Sequence, residues 1–112
     1  MKSDGTAAED AALAYLLKRG CTLLDRNFRS RFGEIDLIVD DGGTLVFVEV
    51  RMRSGGRFGS AADSITAAKR DKLIATAQHY LTRSGRDCAC RFDAVLIDGQ
   101  GRIDWMPDAF SA

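Results

Sequence analysis

The stretch from Gly33 to Arg51 constrains this chain more than any other. Two runs rich in Ile, Val, Leu and Phe flank Gly42-Gly43. A two-residue glycine turn between such runs predicts a β-hairpin, because both central positions can take positive φ. Counting outward from that turn along both strands sets Asp36 opposite Glu49. Side chains so opposed sit ~4.5–5.5 Å apart at Cβ, and like charges there destabilise a sheet. A cation held between the carboxylates removes that penalty. Both ligands would be hard oxygens, with no His or Cys nearby in sequence, so the ion expected is Mg²⁺ or Mn²⁺ and not zinc. The plainer alternative is a pair of solvated carboxylates neutralised by Arg51 and Arg53. Strand alternation argues against it. Glu49 shares its face with Leu45 and Phe47, while Val46, Val48 and Val50 make the other face apolar as well. A strand apolar on both faces is usually central and covered on both sides, where a carboxylate needs a partner.

Asp36, followed by Glu49-Val50-Arg51 at the end of the next strand, resembles the metal-dependent nuclease motif PD-(D/E)xK. The longer strings GEIDLI and LVFVEVR-x-R resemble the YraN family of uncharacterised bacterial proteins, which is assigned to that superfamily. The resemblance runs from about Glu9 to Asp98. It implies a restriction-endonuclease-like fold and divalent-metal chemistry on DNA, with Asp36, Glu49 and the Val50 carbonyl holding the ion. In the related Holliday-junction resolvases, a Glu near the start of the first helix also reaches the metal site, and Glu9 matches by order and placement. The chain departs from the motif at one place: the position after Glu49-Val50 is usually Lys and here is Arg51.

At 112 residues the chain is of a size for one domain, expected to span 1–112. A 46% hydrophobic content allows a real core, while the apolar runs are far too short to cross a bilayer as helices. Asp4, Glu9 and Asp10 interrupt any signal-peptide pattern at the N-terminus. Cys21, Cys88 and Cys90 are an odd set without paired spacing, which argues against a disulfide framework and for a reducing cytoplasm. Net charge is zero, yet it is unevenly placed. Residues 18–91 hold fourteen Lys and Arg against nine Asp and Glu, and both ends are acidic. Arginines outnumber lysines twelve to four, and the planar guanidinium fork suits phosphate.

Along the chain, Thr6 to Arg19 reads as a first helix closed by Gly20. Thr6-Ala7-Ala8-Glu9 fits a capping box, so Glu9 has two readings, helix cap and metal ligand. Cys21 to Phe28 reads as a strand. The basic, partly aromatic stretch Asn27 to Phe32 reads as a turn into the hairpin, with Arg26, Arg29 and Arg31 as candidate phosphate contacts. Met52 to Ser60 is a glycine-rich loop carrying Arg53 and Arg57. Ser64 to Arg83 reads as a second helix with Lys69, Arg70 and Lys72 clustered on its first half; His79 is expected to be structural. Arg91 to Asp98 reads as a fourth strand whose Asp93 pairs with a nearby arginine, and Arg102 to Met106 as a short final strand. The order α-β-β-β-α-β predicts an α/β fold with a mixed sheet and a helix on each face, with the fourth strand parallel to the third.

The function expected is a Mg²⁺- or Mn²⁺-dependent nuclease-like protein acting on DNA, branched DNA included, with a homodimer left open and no membrane association. Glu9, Asp36, Glu49 and Arg51 form the candidate catalytic set. Arg26, Arg29, Arg31, Arg53, Arg57, Lys69 and Lys72 form the candidate nucleic-acid contacts. Arg51 stays protonated and cannot act as a base. Lys69, near the start of the helix after the Glu49 strand, is the lysine best placed to take over from the missing one, although a solvated lysine is its plainer reading. The alternatives are a non-catalytic nucleic-acid-binding module, which Arg51 and the neutral total charge favour, and a protein-interaction domain.

Overall fold

The computed structural model describes residues 4–52 and 65–111, with side chains from Thr6 onward. Its hairpin consists of β2 (Gly33–Asp41) and β3 (Thr44–Met52). Gly42 and Gly43 both take positive φ, 61° and 97°, and Gly43 N donates to Asp40 Oδ1 at 2.7 Å. That turn sets the expected register, with Asp41 opposite Thr44 and Leu37 opposite Val48. Asp36 and Glu49 are the next residues beyond that last pair.

β1 (Thr22–Ser30) lies antiparallel to β2, β4 (Cys90–Ile97) parallel to β3, and β5 (Ile103–Phe110) antiparallel to β4. The five-stranded mixed sheet therefore runs in chain order, β1 to β5, with β3 at its centre. One face is covered by α1 (Asp4–Lys18), whose Ala8, Ala12 and Leu16 pack on Leu37, Val39, Val46 and Val48. The other is covered by α2 (Ala67–Ser84), whose Leu73 and Ala77 pack among Ile38, Leu45, Phe47 and Phe92. The alternation along β3 thus feeds two cores, and Glu49, following Leu45 and Phe47, faces α2.

Several boundaries depart from expectation. α1 begins at Asp4, two residues earlier, so Thr6 lies inside the helix and not at its cap. β1 continues to Ser30, which places Arg26 and Arg29 on a strand and leaves a tight turn at Arg31-Phe32. β5 runs to Phe110, four residues past Met106, because Phe110 stacks on Phe92 at 4.8 Å between ring centroids and joins the core. α2 begins at Ala67, where the Thr66 hydroxyl accepts from Lys69 N at 3.2 Å, and Gly85 closes it in the left-handed region at φ 68°. Of the expected loop Met52 to Ser60, Met52 ends β3, and residues 53–60, Arg53 and Arg57 among them, fall outside the described residues.

The sheet is irregular beside Asp36. Asn27 takes φ 55° between the pairs Arg26–Leu37 and Phe28–Ile35, directly across from Asp36. At that kink the alternation of β2 breaks, so that Ile35 and Ile38 both pack on the α2 side.

Candidate metal centre

Asp36 and Glu49 come together where β2 and β3 leave their ladder. Asp36 Oδ2 accepts from Val50 N at 2.8 Å, replacing a strand hydrogen bond with a side-chain one. Glu49 is 4% exposed. The Asp36 carboxyl is pushed up to about 8, first by burial and next by the negative charge of Glu49. The Val50 N–H pulls the other way, while a hydrogen bond to Glu49 and the charge of Glu9 add to the rise. Burial and the neighbouring carboxylate thus both favour the protonated form of Asp36. The pair has the strain of two opposed acids that the register predicts.

Among the described residues two cations answer it. Lys69 Nζ lies 2.6 Å from Glu49 Oε2, and Arg51 NH1 lies 3.6 Å from the same oxygen. The Lys69 contact follows from the fold. The parallel β3–β4 crossover brings α2 back over the sheet, and Lys69 sits in the helix's first turn above the Glu49 face.

Glu9 approaches from α1. Its Oε1 is buried and has no hydrogen-bond partner. Among the described residues the nearest cation, Arg26 NH2, stands 3.7 Å away and is itself held by Asp10 Oδ1 at 2.8 Å. An orphaned buried carboxylate oxygen is costly and calls for an explanation. With the helix beginning at Asp4, the capping box does not provide one.

The carboxylates open onto a cleft of about 350 Å³. β2 lines it with Gly33, Glu34 and Asp36, β3 with Glu49, and α2 with its cap Thr66 and with Ala68, Lys69, Lys72 and Leu73. Among the described residues no three Asp, Glu, His or Cys side chains gather into a cage. An ion here would take two carboxylates and fill its remaining positions with backbone carbonyl, water or substrate oxygen, the sparse protein coordination that Mg²⁺ favours. The donor set is all oxygen, and the orphaned Glu9 oxygen is close enough to Asp36 to act on its titration. The residues present therefore fit a hard divalent ion.

The other candidate residues are dispersed. Arg26 is turned to α1 by Asp10. Arg29 is exposed on β1, with its Nε 2.6 Å from Glu34 Oε2 at the cleft wall. Arg31 lies over the Phe32 ring at the β1–β2 turn, 5.0 Å from its centroid. Lys72 is exposed at the cleft, and His79 is exposed beside Phe28. Asp93 does pair with an arginine, Arg91, away from the cleft. Glu34 was not singled out from the sequence. Its place two residues before Asp36, on a strand expected to alternate regularly, was the signal that could have found it.

Comparisons with known proteins agree with this architecture. The model of the uncharacterised protein family UPF0102 matches residues 8–97. A UPF0102 protein of Methylobacillus flagellatus is 56% identical over 115 residues, covering 100% of both chains. One from Nitrosomonas eutropha is 54% identical over 109 residues, covering 97% of this chain and 94% of its own. Among solved structures, Hjc of Archaeoglobus fulgidus, a Holliday junction resolvase from an archaeal hyperthermophile, superposes with a TM-score of 0.62 at 21% identity. That match covers 94% of this chain and 73% of that one, and it shows a shared fold. The chain belongs to the UPF0102 family.

Proposed function

We propose that this UPF0102 chain is a divalent-metal-dependent nuclease-like protein of one domain that acts on DNA phosphodiesters. The observation that carries the reading is buried Glu49 beside half-buried Asp36 just past the end of the β2–β3 ladder, open to a cleft and answered by cations from two elements. Asp36, Glu49 and the Val50 carbonyl, with Glu9 reaching in through water, would hold Mg²⁺ or Mn²⁺. Bound there, such an ion lowers the pKa of water and neutralises charge on a scissile phosphate.

The chain's own groups do the rest. Arg51, one-third exposed beside Glu49, clamps a phosphate oxygen with its fixed fork of donors. It stays protonated, so it contributes charge and orientation but no proton transfer. Lys69 and Lys72 line the cleft, and Arg29 reaches Glu34 at its wall; these three are suited to phosphates flanking the scissile one, and Arg31 at the β1–β2 turn to a more distant phosphate. Arg26 serves first as a brace between α1 and β1. Arg53 and Arg57 complete the proposed nucleic-acid set from the segment after β3. Branched DNA is the substrate class favoured by the fold's kinship with a resolvase, and the cytoplasm is the compartment proposed. No described helix is long and apolar enough to cross a membrane.

The test is a cleavage panel of branched, flapped, single-stranded and duplex DNA with Mg²⁺ and Mn²⁺. The reading expects metal-dependent cleavage of at least one substrate, lost in Asp36→Ala. Arg51 in place of lysine favours one second reading, a nucleic-acid-binding module that has lost chemistry. Salt-sensitive binding with no cleavage would select it. Absence of both would leave a protein-interaction domain.

A further inference from the structure

Lys69 and a divalent ion would want the same oxygen. Lys69 Nζ sits 2.6 Å from Glu49 Oε2, on a side chain that is 42% exposed, whereas the Glu49 side chain is 5% exposed. A buried carboxylate needs a counter-charge, and Lys69 gives the closer of the two beside Glu49 among the described residues. An ammonium on that oxygen repels any second cation brought to it. The two cations can exchange without moving the backbone. The Lys69 main chain is pinned, its N–H held by the Thr66 cap at 3.2 Å, while its four-carbon stem is flexible and its head is next to water. The cleft of about 350 Å³ gives it room, and Lys72, three residues along the same helix, already lines that cleft.

We propose that Lys69 is the resident counter-ion of Glu49 in the metal-free chain, that a bound divalent ion displaces it, and that the released ammonium joins Lys72 as a phosphate contact. This rests on the metal reading above. It makes loading of the ion and readiness for DNA a single event: the cation that vacates the carboxylate becomes part of the surface that meets phosphate. Glu49 is thereby never left buried without an opposite charge.

The test is calorimetric titration of Mn²⁺ into the full chain at one pH and ionic strength. The variants are wild type, Lys69→Gln, Lys69→Arg and Lys72→Gln. Removing a competitor that holds the seat about nine-tenths of the time tightens Mn²⁺ binding about tenfold, and Lys69→Gln is expected to do so. Lys69→Arg, which keeps the charge, stays near wild type. Lys72→Gln removes the same charge from the same cleft and measures the general field; the Lys69→Gln effect exceeds it. Lys69→Met retains the stem without the charge and gives the same readout should the Gln variant fail to fold. A second readout is DNA affinity, which Mn²⁺ raises less in Lys69→Gln than in wild type. If Mn²⁺ binds wild type and Lys69→Gln equally, or if Lys72→Gln tightens binding as much, the inference is overturned and the metal reading stands. If no variant binds Mn²⁺, both fall.

Discussion

Asp36 gains its strained carboxyl from its position, and that makes the residue a probe of the site. Its folded pKa, about 8, lies far above the usual carboxylate value, so the folded chain holds a proton that the unfolded chain releases from about pH 4 upward. The stability this proton represents is full below the unfolded pKa and is lost as pH rises through about 8. In chelator-treated protein the unfolding free energy should therefore fall between pH 5 and pH 8, by at most about 1.4 kcal/mol per pH unit from this group. Asp36→Asn should flatten that fall and be the more stable protein at pH 8, as denaturant midpoints across the range would reveal. An unchanged pH profile in Asp36→Asn would mean the carboxyl is not the strained group. Glu9 offers a second probe. Glu9→Gln keeps the shape of the side chain and removes charge that acts on Asp36. It should leave metal-free stability nearly unchanged while weakening Mn²⁺ affinity, and equal affinity in the two proteins would remove Glu9 from the ligand set.

At the scale of elements, β5 is held by one buried acid. Asp93 is fully buried. It accepts from Arg91 Nε and NH2, from Trp105 Nε1 and from Asp108 N, all at 2.8–2.9 Å. Arg91 in turn reaches Asp41 on β2 at 2.9 Å, and its guanidinium is held more firmly charged by the Asp93 hydrogen bond. Asp93→Ala leaves that cation and two β5 donors without their acceptor and should cost about 3–5 kcal/mol. Amide exchange in β5 should accelerate before that of β2 and β3. By comparison Thr66→Ala, which removes only the α2 cap, should cost about 1 kcal/mol. Elements carried by local pattern were legible in advance: the hairpin from its Gly-Gly turn, the central place of β3 from apolar residues on both faces, and the end of α1 from Gly20. The reach of β5 was not, because it depends on Asp93 and Phe92 meeting residues more than ten positions away. The start of α1 misled because Thr6 and Glu9 satisfy a capping pattern locally, while the helix begins two residues earlier at Asp4.

For the whole molecule, zero net charge conceals a basic centre between two acidic ends. DNA binding should accordingly fall steeply with salt through counterion release. Reversing Arg29 and Arg31 together should weaken it across sequences and lower the salt slope by about one for each phosphate no longer neutralised. Affinity indifferent to salt would count against any nucleic-acid role. The site itself was half legible. Register alone joined Asp36 to Glu49 across the turn. The orphaned Glu9 oxygen and the grip of Lys69 on Glu49 needed both helices laid over opposite faces of one sheet, which no local spacing reveals. The central claim is that the hairpin register builds a divalent-metal centre from Asp36 and Glu49, and the most direct measurement is the melting temperature of the chain with and without Mn²⁺. Wild type at about a hundredfold excess over Kd should gain on the order of 10 °C, since preferential binding to the folded state is then worth about 2.7 kcal/mol. The double variant Asp36→Asn with Glu49→Gln should show no gain. The same Mn²⁺-dependent rise in the double variant would place the ion elsewhere and contradict the account.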